Sequence, residues 1–254
     1  MLTSIIIFSC LVFSIVHPLC FWLLRHPIDA GFRKFNLFLI DITCGIALFG
    51  LLQTDFPRVI KTTIMLWAVL VFFVSARAWQ RNIPTLMLSL PSALGLPIIY
   101  LAQVELLKVI APLWLVLLGS MVLCLSIFTL ILGHWYLNVS GLSISHIMNL
   151  SYFFWMVLGL RTVVDIFLFA TSKILHGGDF IYLYQFILRS DGFLLIIPLF
   201  FGTLLPLFLL YFVIETLKVK STQSATGILY VVSISVLMGD LAYKYFLLKF
   251  GIAL

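Results

Sequence analysis

Apolar positions run along this chain in stretches of about twenty, each closed by a charge, a proline or a glycine cluster. A bilayer core of about 30 Å takes roughly 20 apolar helical residues to cross. Cutting the chain at its interruptions predicts eight spans, at 3–24, 35–54, 62–78, 83–103, 110–136, 146–170, 192–214 and 225–248. The segment 83–103 carries Pro84, Pro91 and Pro97. Proline removes a backbone donor and kinks a helix, a defect that membrane helices tolerate when neighbouring groups satisfy the freed carbonyl. It is therefore expected as a kinked span, and a re-entrant segment there would leave seven spans. The longest connection, 171–192, contains His176-Gly177-Gly178-Asp179 and then Phe180 to Leu188, and is expected to hold a short interfacial helix. The first segment lacks the basic lead-in and small-x-small site of a cleaved signal and is kept as a span.

Composition agrees. Hydrophobic residues make up 63% of the chain and charged residues 9%, against about 45–50% and about 25% in soluble proteins. The expected fold is an all-α polytopic transmembrane bundle, a single integral membrane domain over 1–254 with no soluble appendage. The formal charge of +6 comes from 15 Lys and Arg scattered through short loops, so no basic arm for nucleic acid exists, and such residues serve to fix topology. With eight spans both termini share one side, A. The basic first loop, with Arg25, Arg33 and Lys34, turns the opposite side, B, to the cytoplasm. Cys10, Cys20, Cys44 and Cys124 all sit in apolar runs without a CxxC pair, which suits small core residues rather than a metal site.

Ionisable side chains inside spans are costly, so each is a functional candidate with a partner to be found. Threading the spans sends His17, Asp41, His134, His146 and Glu215 towards side B, with Trp135, Tyr136 and Asn138 beside them and the loop from Lys218 to Gly227 over the same face. A polar, aromatic-rimmed vestibule there would suit haem b, a quinone or a proton site, because imidazole is a common haem ligand and titrates near neutral pH. The plainer reading makes His134 and His146 interfacial anchors and lets His17, before Pro18, satisfy a kinked backbone. Two pairs, Arg161 with Asp165 and Asp240 with Lys244, have the i, i+4 spacing that places partners one turn apart on a helix face. They fit an ion path or a pin between helices, and Lys244 is expected to snorkel towards side A. No GxSxG, HExxH, P-loop or CxxCH motif is present, nor paired Asp-rich magnesium motifs. The sequons at Asn138 and Asn149 are read as chance matches.

Two segments, Gly133-His134-Trp135-Tyr136-Leu137-Asn138 and Gln223-Ser224-Ala225-Thr226-Gly227-Ile228-Leu229-Tyr230, resemble a family of uncharacterised bacterial multi-pass membrane proteins over roughly 130–250. The resemblance implies a cell inner-membrane setting and draws attention to His134 and Gln223, without an activity. The leading expectation is a membrane-embedded subunit of an electron-transfer or ion-translocating complex, working with other membrane subunits, its cofactor site drawn from His17, His134, His146 and Gln223. A small-solute or ion transporter using Asp41, Arg161, Asp165 and Asp240 is the second, and a scaffold or assembly factor whose polar residues glue helices is the third. A lipid-modifying enzyme with His134 or His146 as general base ranks last.

Overall fold

The computed structural model describes residues 2–24, 28–81, 83–139, 141–176, 178–190 and 192–252, with 175 and 176 described by backbone alone. Arg25 of the first loop, Ser140 of the first sequon, and Gly177 and the His176 side chain of the long connection lie outside these descriptions. Among the described residues, eight helices are long and apolar enough to cross a membrane: α1 (Leu2–Leu23), α2 (Ala30–Leu52), α3 (Arg58–Gln80), α4 (Thr85–Leu107), α5 (Leu113–Asn138), α6 (Ser145–Thr171), α7 (Phe193–Lys218) and α8 (Thr222–Phe250). This is the all-α polytopic fold that the hydrophobic pattern predicts.

The helices outrun the apolar stretches at their ends, since helical hydrogen bonding does not stop where hydrophobicity does. The largest extension is α2, which starts at Ala30 rather than 35, where the Arg33 amide bonds the Asp29 carbonyl at 3.2 Å. Lys34 then lies inside the helix, its amine 5.6 Å from the Trp79 ring centre on α3. Asp41 is consequently at the midpoint of α2, further from the helix start than a span beginning at 35 would place it.

The proline-rich segment is one continuous span. Pro84 precedes the first turn of α4, Pro91 and Pro97 lie within the helix, and the Trp67 indole N–H donates to the Pro91 carbonyl at 2.8 Å. The helix closes in a wider π turn, Gln103–Leu107, and Lys108 turns the chain at φ 53°. The Gln103 side chain accepts from the Ala111 amide at 2.8 Å and ties that turn down.

The connection 171–192 departs from expectation. It forms a hairpin of β1 (Lys173–His176) and β2 (Asp179–Tyr182), with Ile174 opposite Ile181, and only one helical turn, Leu183–Phe186, follows. Gly178, at φ +94°, supplies the left-handed residue the turn needs. The apolar members pack with Phe186, Leu195 and Phe246, so these residues serve a small core rather than an interfacial helix.

Contacts divide the chain into two units, Met1–Leu113 with α1 to α4, and Trp114–Leu254 with the rest. In the first, α1 packs on α2 and α4, and α3 bridges α2 and α4. In the second, α8 and α6 both pack on α7. The α6 surface is inverted relative to a soluble helix. Leu160, Val163, Ile166 and Phe167 are exposed, whereas Arg161 and Asp165 are buried. Lipid demands that arrangement: apolar groups outside, and charge only where protein surrounds it.

A buried charge network in the second unit

Arg161 and Asp165 project from one face of α6, with Arg161 Nε 2.9 Å from Asp165 Oδ1 and side chains only 4% and 2% exposed. Neither charge is solvated by water, so each must be compensated by protein. Arg161 Nη1 donates to the Leu115 carbonyl of α5 at 3.3 Å. Gly119, one turn along α5, makes the approach feasible, because a Cβ there would come within 3.1 Å of the same nitrogen. From α8, the Tyr243 hydroxyl donates to Asp165 Oδ2 at 2.7 Å, and its ring centre lies 4.8 Å from the guanidinium carbon. Asp165 is thus held from its own helix and from α8, and Arg161 is enclosed by three helices.

Next to Tyr243 the α7 and α8 backbones nearly touch. A Cβ on Gly239 would stand 2.1 Å from the Gly202 Cα. The π turn Phe200–Leu204 widens α7 at this crossing, the Ser235 hydroxyl donates to the Phe201 carbonyl at 2.7 Å, and the Thr203 hydroxyl donates to the Leu199 carbonyl at 2.7 Å. Small hydroxylated and glycine residues at helix crossings are the usual means of close approach in membranes.

Asp240 and Lys244 form the second predicted pair, joined by a direct bond with side chains about one-tenth exposed. The expected snorkelling of Lys244 is not what the structure shows. Its amine turns back one turn to Asp240 and stays buried, because a carboxylate within reach compensates the charge without extending the side chain along the whole remaining helix.

The other candidates are dispersed. His134, exposed near the end of α5, has Nδ1 3.2 Å from the Tyr230 hydroxyl of α8. Below it the same helices interlock: a Cβ on Gly133 would lie 2.9 Å from Thr226 Oγ1, and the Ser233 hydroxyl donates to the Ser126 carbonyl at 3.1 Å. The two segments that carry the family resemblance therefore pack against each other. Gln223 is exposed in the first turn of α8, and His146 is half-buried in the first turn of α6. Glu215 makes a surface ion pair with Lys218 at 2.6 Å rather than lining a buried site.

His17 and Asp41 belong to the first unit. The His17 imidazole is fully buried, stacked on Phe13 at 4.4 Å, with Nε2 2.9 Å from Asn36 Oδ1. A haem iron needs an imidazole nitrogen facing an open plane. The His17 Nε2 is turned to Asn36 instead, and the enclosed ring does not fit that role. It binds a side chain on α2 rather than the backbone near Pro18. Asp41 Oδ2 accepts from the Ser75 hydroxyl of α3 at 2.7 Å. No three His, Cys, Asp or Glu side chains among the described residues converge to hold a metal ion.

Tyr243, Asn36 and Ser75 were not singled out in the sequence. Only Tyr243 left a trace, standing at i+3 from Asp240 and beside Lys244. No protein-family model, curated protein or solved structure matches the chain. The fold and its buried charges define a multi-pass, all-α integral membrane protein that, among the described residues, buries two ion pairs in its C-terminal helices beside one small β-hairpin.

Proposed function

We propose that this protein is an ion-translocating subunit of a membrane complex, passing protons through α5 to α8. The observation that carries the reading is the position of Asp165, clamped inside a span between Arg161 on its own helix and Tyr243 on another. A carboxylate hydrogen-bonded to a phenol provides two groups that exchange protons along an existing hydrogen bond, and ionisable residues at such depth mark ion pathways. The π turn at 200–204 beside them is the kind of helical irregularity that accumulates at functional sites. Asp240 and Lys244 supply a second protonatable pair on the same helix as Tyr243.

The proposal carries the inner-membrane setting and the neighbouring membrane subunits that the sequence suggests. It leaves out haem b on His17, whose Nε2 is engaged by Asn36. The electron-transfer form of the reading rests on His134 and Tyr230, whose polar edges meet near the end of α5 and offer hydrogen bonds to a quinone carbonyl.

The test is proton flux in proteoliposomes carrying the purified protein, followed with an internal pH-sensitive dye. Asp165→Asn and the milder Tyr243→Phe should each lower flux at least about tenfold, equivalent to roughly 1.4 kcal/mol of barrier. Folded variants with undiminished flux would remove the proposal and make the pairs helix-joining pins in a scaffold.

A further inference from the structure

In the first unit, Asp41 lies midway along α2, 11 residues from Ala30 and 11 from Leu52. Its Oδ2 accepts one hydrogen bond, from Ser75, while Oδ1 is buried without a hydrogen-bond partner. Among the described residues no cation stands within ion-pair distance of it, which separates it from Asp165 and Asp240.

The titratable and charged groups on the packed elements do not supply compensation. On α1, His17 is committed to Asn36, and Cys10 and Cys20 are uncharged thiols. On α2 itself Lys34 lies over Trp79, Arg33 is two turns away, and Cys44 is a buried thiol one turn on. On α3, Arg58 and Lys61 sit in the first turn, remote from Ser75, and Arg77 is exposed.

An ionised carboxylate here would hold its charge at mid-span on a single hydrogen bond, and desolvating an ion is costly. The neutral acid leaves at most one O–H unpaired, the smaller penalty. A metal cation is the poorer occupant, since calcium and magnesium take six or more oxygens and this site offers one carboxyl and one hydroxyl.

We infer that Asp41 is a proton-binding carboxyl inside the membrane, hydrogen-bonded by Ser75 and exchanging its proton as the surroundings change. Asp41 belongs to the first unit, and this role does not need the path proposed through α5 to α8. Asp41 is only partly buried, and Gly45, one turn on, leaves open space, because a Cβ there would meet nothing within 4 Å. An apolar reagent therefore has a route from the lipid.

The experiment treats the full-length protein in mild detergent with N,N′-dicyclohexylcarbodiimide, an apolar reagent that adds only to protonated carboxyls, and locates adducts by peptide mass spectrometry. Asp41 should be labelled at pH 7 while Asp55 and Glu215 are not, and labelling should fall about tenfold per pH unit once the acid begins to ionise. Asp41→Asn should lose the adduct, and Ser75→Ala, which removes the one donor to the carboxylate, should carry labelling to higher pH. The infrared C=O band of a protonated carboxyl, absent in Asp41→Asn, is a second readout that does not depend on reagent access. A protein showing neither adduct nor band at pH 7 overturns the inference. So does an adduct that sodium ions suppress at fixed pH, which would make the site a cation site, or a Ser75→Ala profile identical to wild type.

Discussion

The Tyr243 hydroxyl donates to Asp165 Oδ2 across 2.7 Å, joining α8 to α6 at a carboxylate that already faces Arg161. Breaking a buried pair on one side leaves the other charge uncompensated, at a cost of about 3–5 kcal/mol. Asp165→Ala is expected to show that loss in detergent unfolding followed by intrinsic fluorescence. Removing both charges, with Arg161→Met and Asp165→Leu, should cost less than Asp165→Ala alone. Tyr243→Phe gives up one hydrogen bond to a charged group, about 1.5–3 kcal/mol. A double variant worse than the single would show that the two side chains are not energetically coupled.

The crossing of α7 and α8 makes a sharper steric prediction. A Cβ on Gly239 would overlap the Gly202 Cα and lie 2.4 Å from its nitrogen, and backbone cannot step aside as a side chain can. Gly239→Ala should therefore destabilise by about 3 kcal/mol or more, at or beyond the usual range for overpacking. Gly227, on the same helix, has nothing within 4 Å of a built Cβ. Gly227→Ala should be neutral or stabilising by up to about 1 kcal/mol. Equal thermal shifts for the two variants would contradict this crossing.

The spans were legible because bilayer thickness imposes a length on them and composition shows where each run breaks. The two i, i+4 pairs were legible for a similar reason, since helical geometry alone brings Arg161 to Asp165 and Asp240 to Lys244. What escaped was everything set by contact between helices. Tyr243 is 78 positions from Asp165, and nothing in an apolar stretch tells a lipid-facing tyrosine from one that binds a buried carboxylate. Asp41 was placed too near a helix end because the apolar run starts later than the helix itself. The hairpin at 173–182 was missed because strands of four residues have too few positions for alternation to register.

His17 and Asn36 lead to a prediction that separates packing from cofactor chemistry. The imidazole is enclosed, stacked on Phe13 and bonded to Asn36. His17→Ala removes a packed ring and orphans a buried amide oxygen, which should cost about 2–4 kcal/mol. Asn36→Leu should cost about 1–3 kcal/mol by unpairing the ring nitrogen. Neither variant should alter the visible spectrum of protein prepared with haem in excess. A haem absorbance band present in wild type and missing in His17→Ala would show that this ring reaches a cofactor after all.

The segments 133–138 and 223–230 meet at Gly133 and Thr226, and that contact can be tested by suppression. A Cβ at position 133 would approach Thr226 Oγ1 to 2.9 Å and Thr226 Cβ to 3.5 Å. The first distance is too close, the second is ordinary contact, and Leu229 Cδ1 at 3.1 Å is the end of a flexible side chain that can give way, so the hydroxyl is the main obstacle. Gly133→Ala alone should lower thermal stability by about 1–3 kcal/mol as α5 and α8 are pushed apart. Thr226→Ala alone should cost less, since its hydroxyl bonds only the Thr222 carbonyl one turn back. Combined, the two changes remove the obstacle and should recover most of what Gly133→Ala loses. Purely additive losses would mean that the residues do not share this contact. Recovery would also bear on His134, since Gly133 fixes how closely α5 lies on α8 and hence whether Tyr230 can reach the imidazole one residue further on.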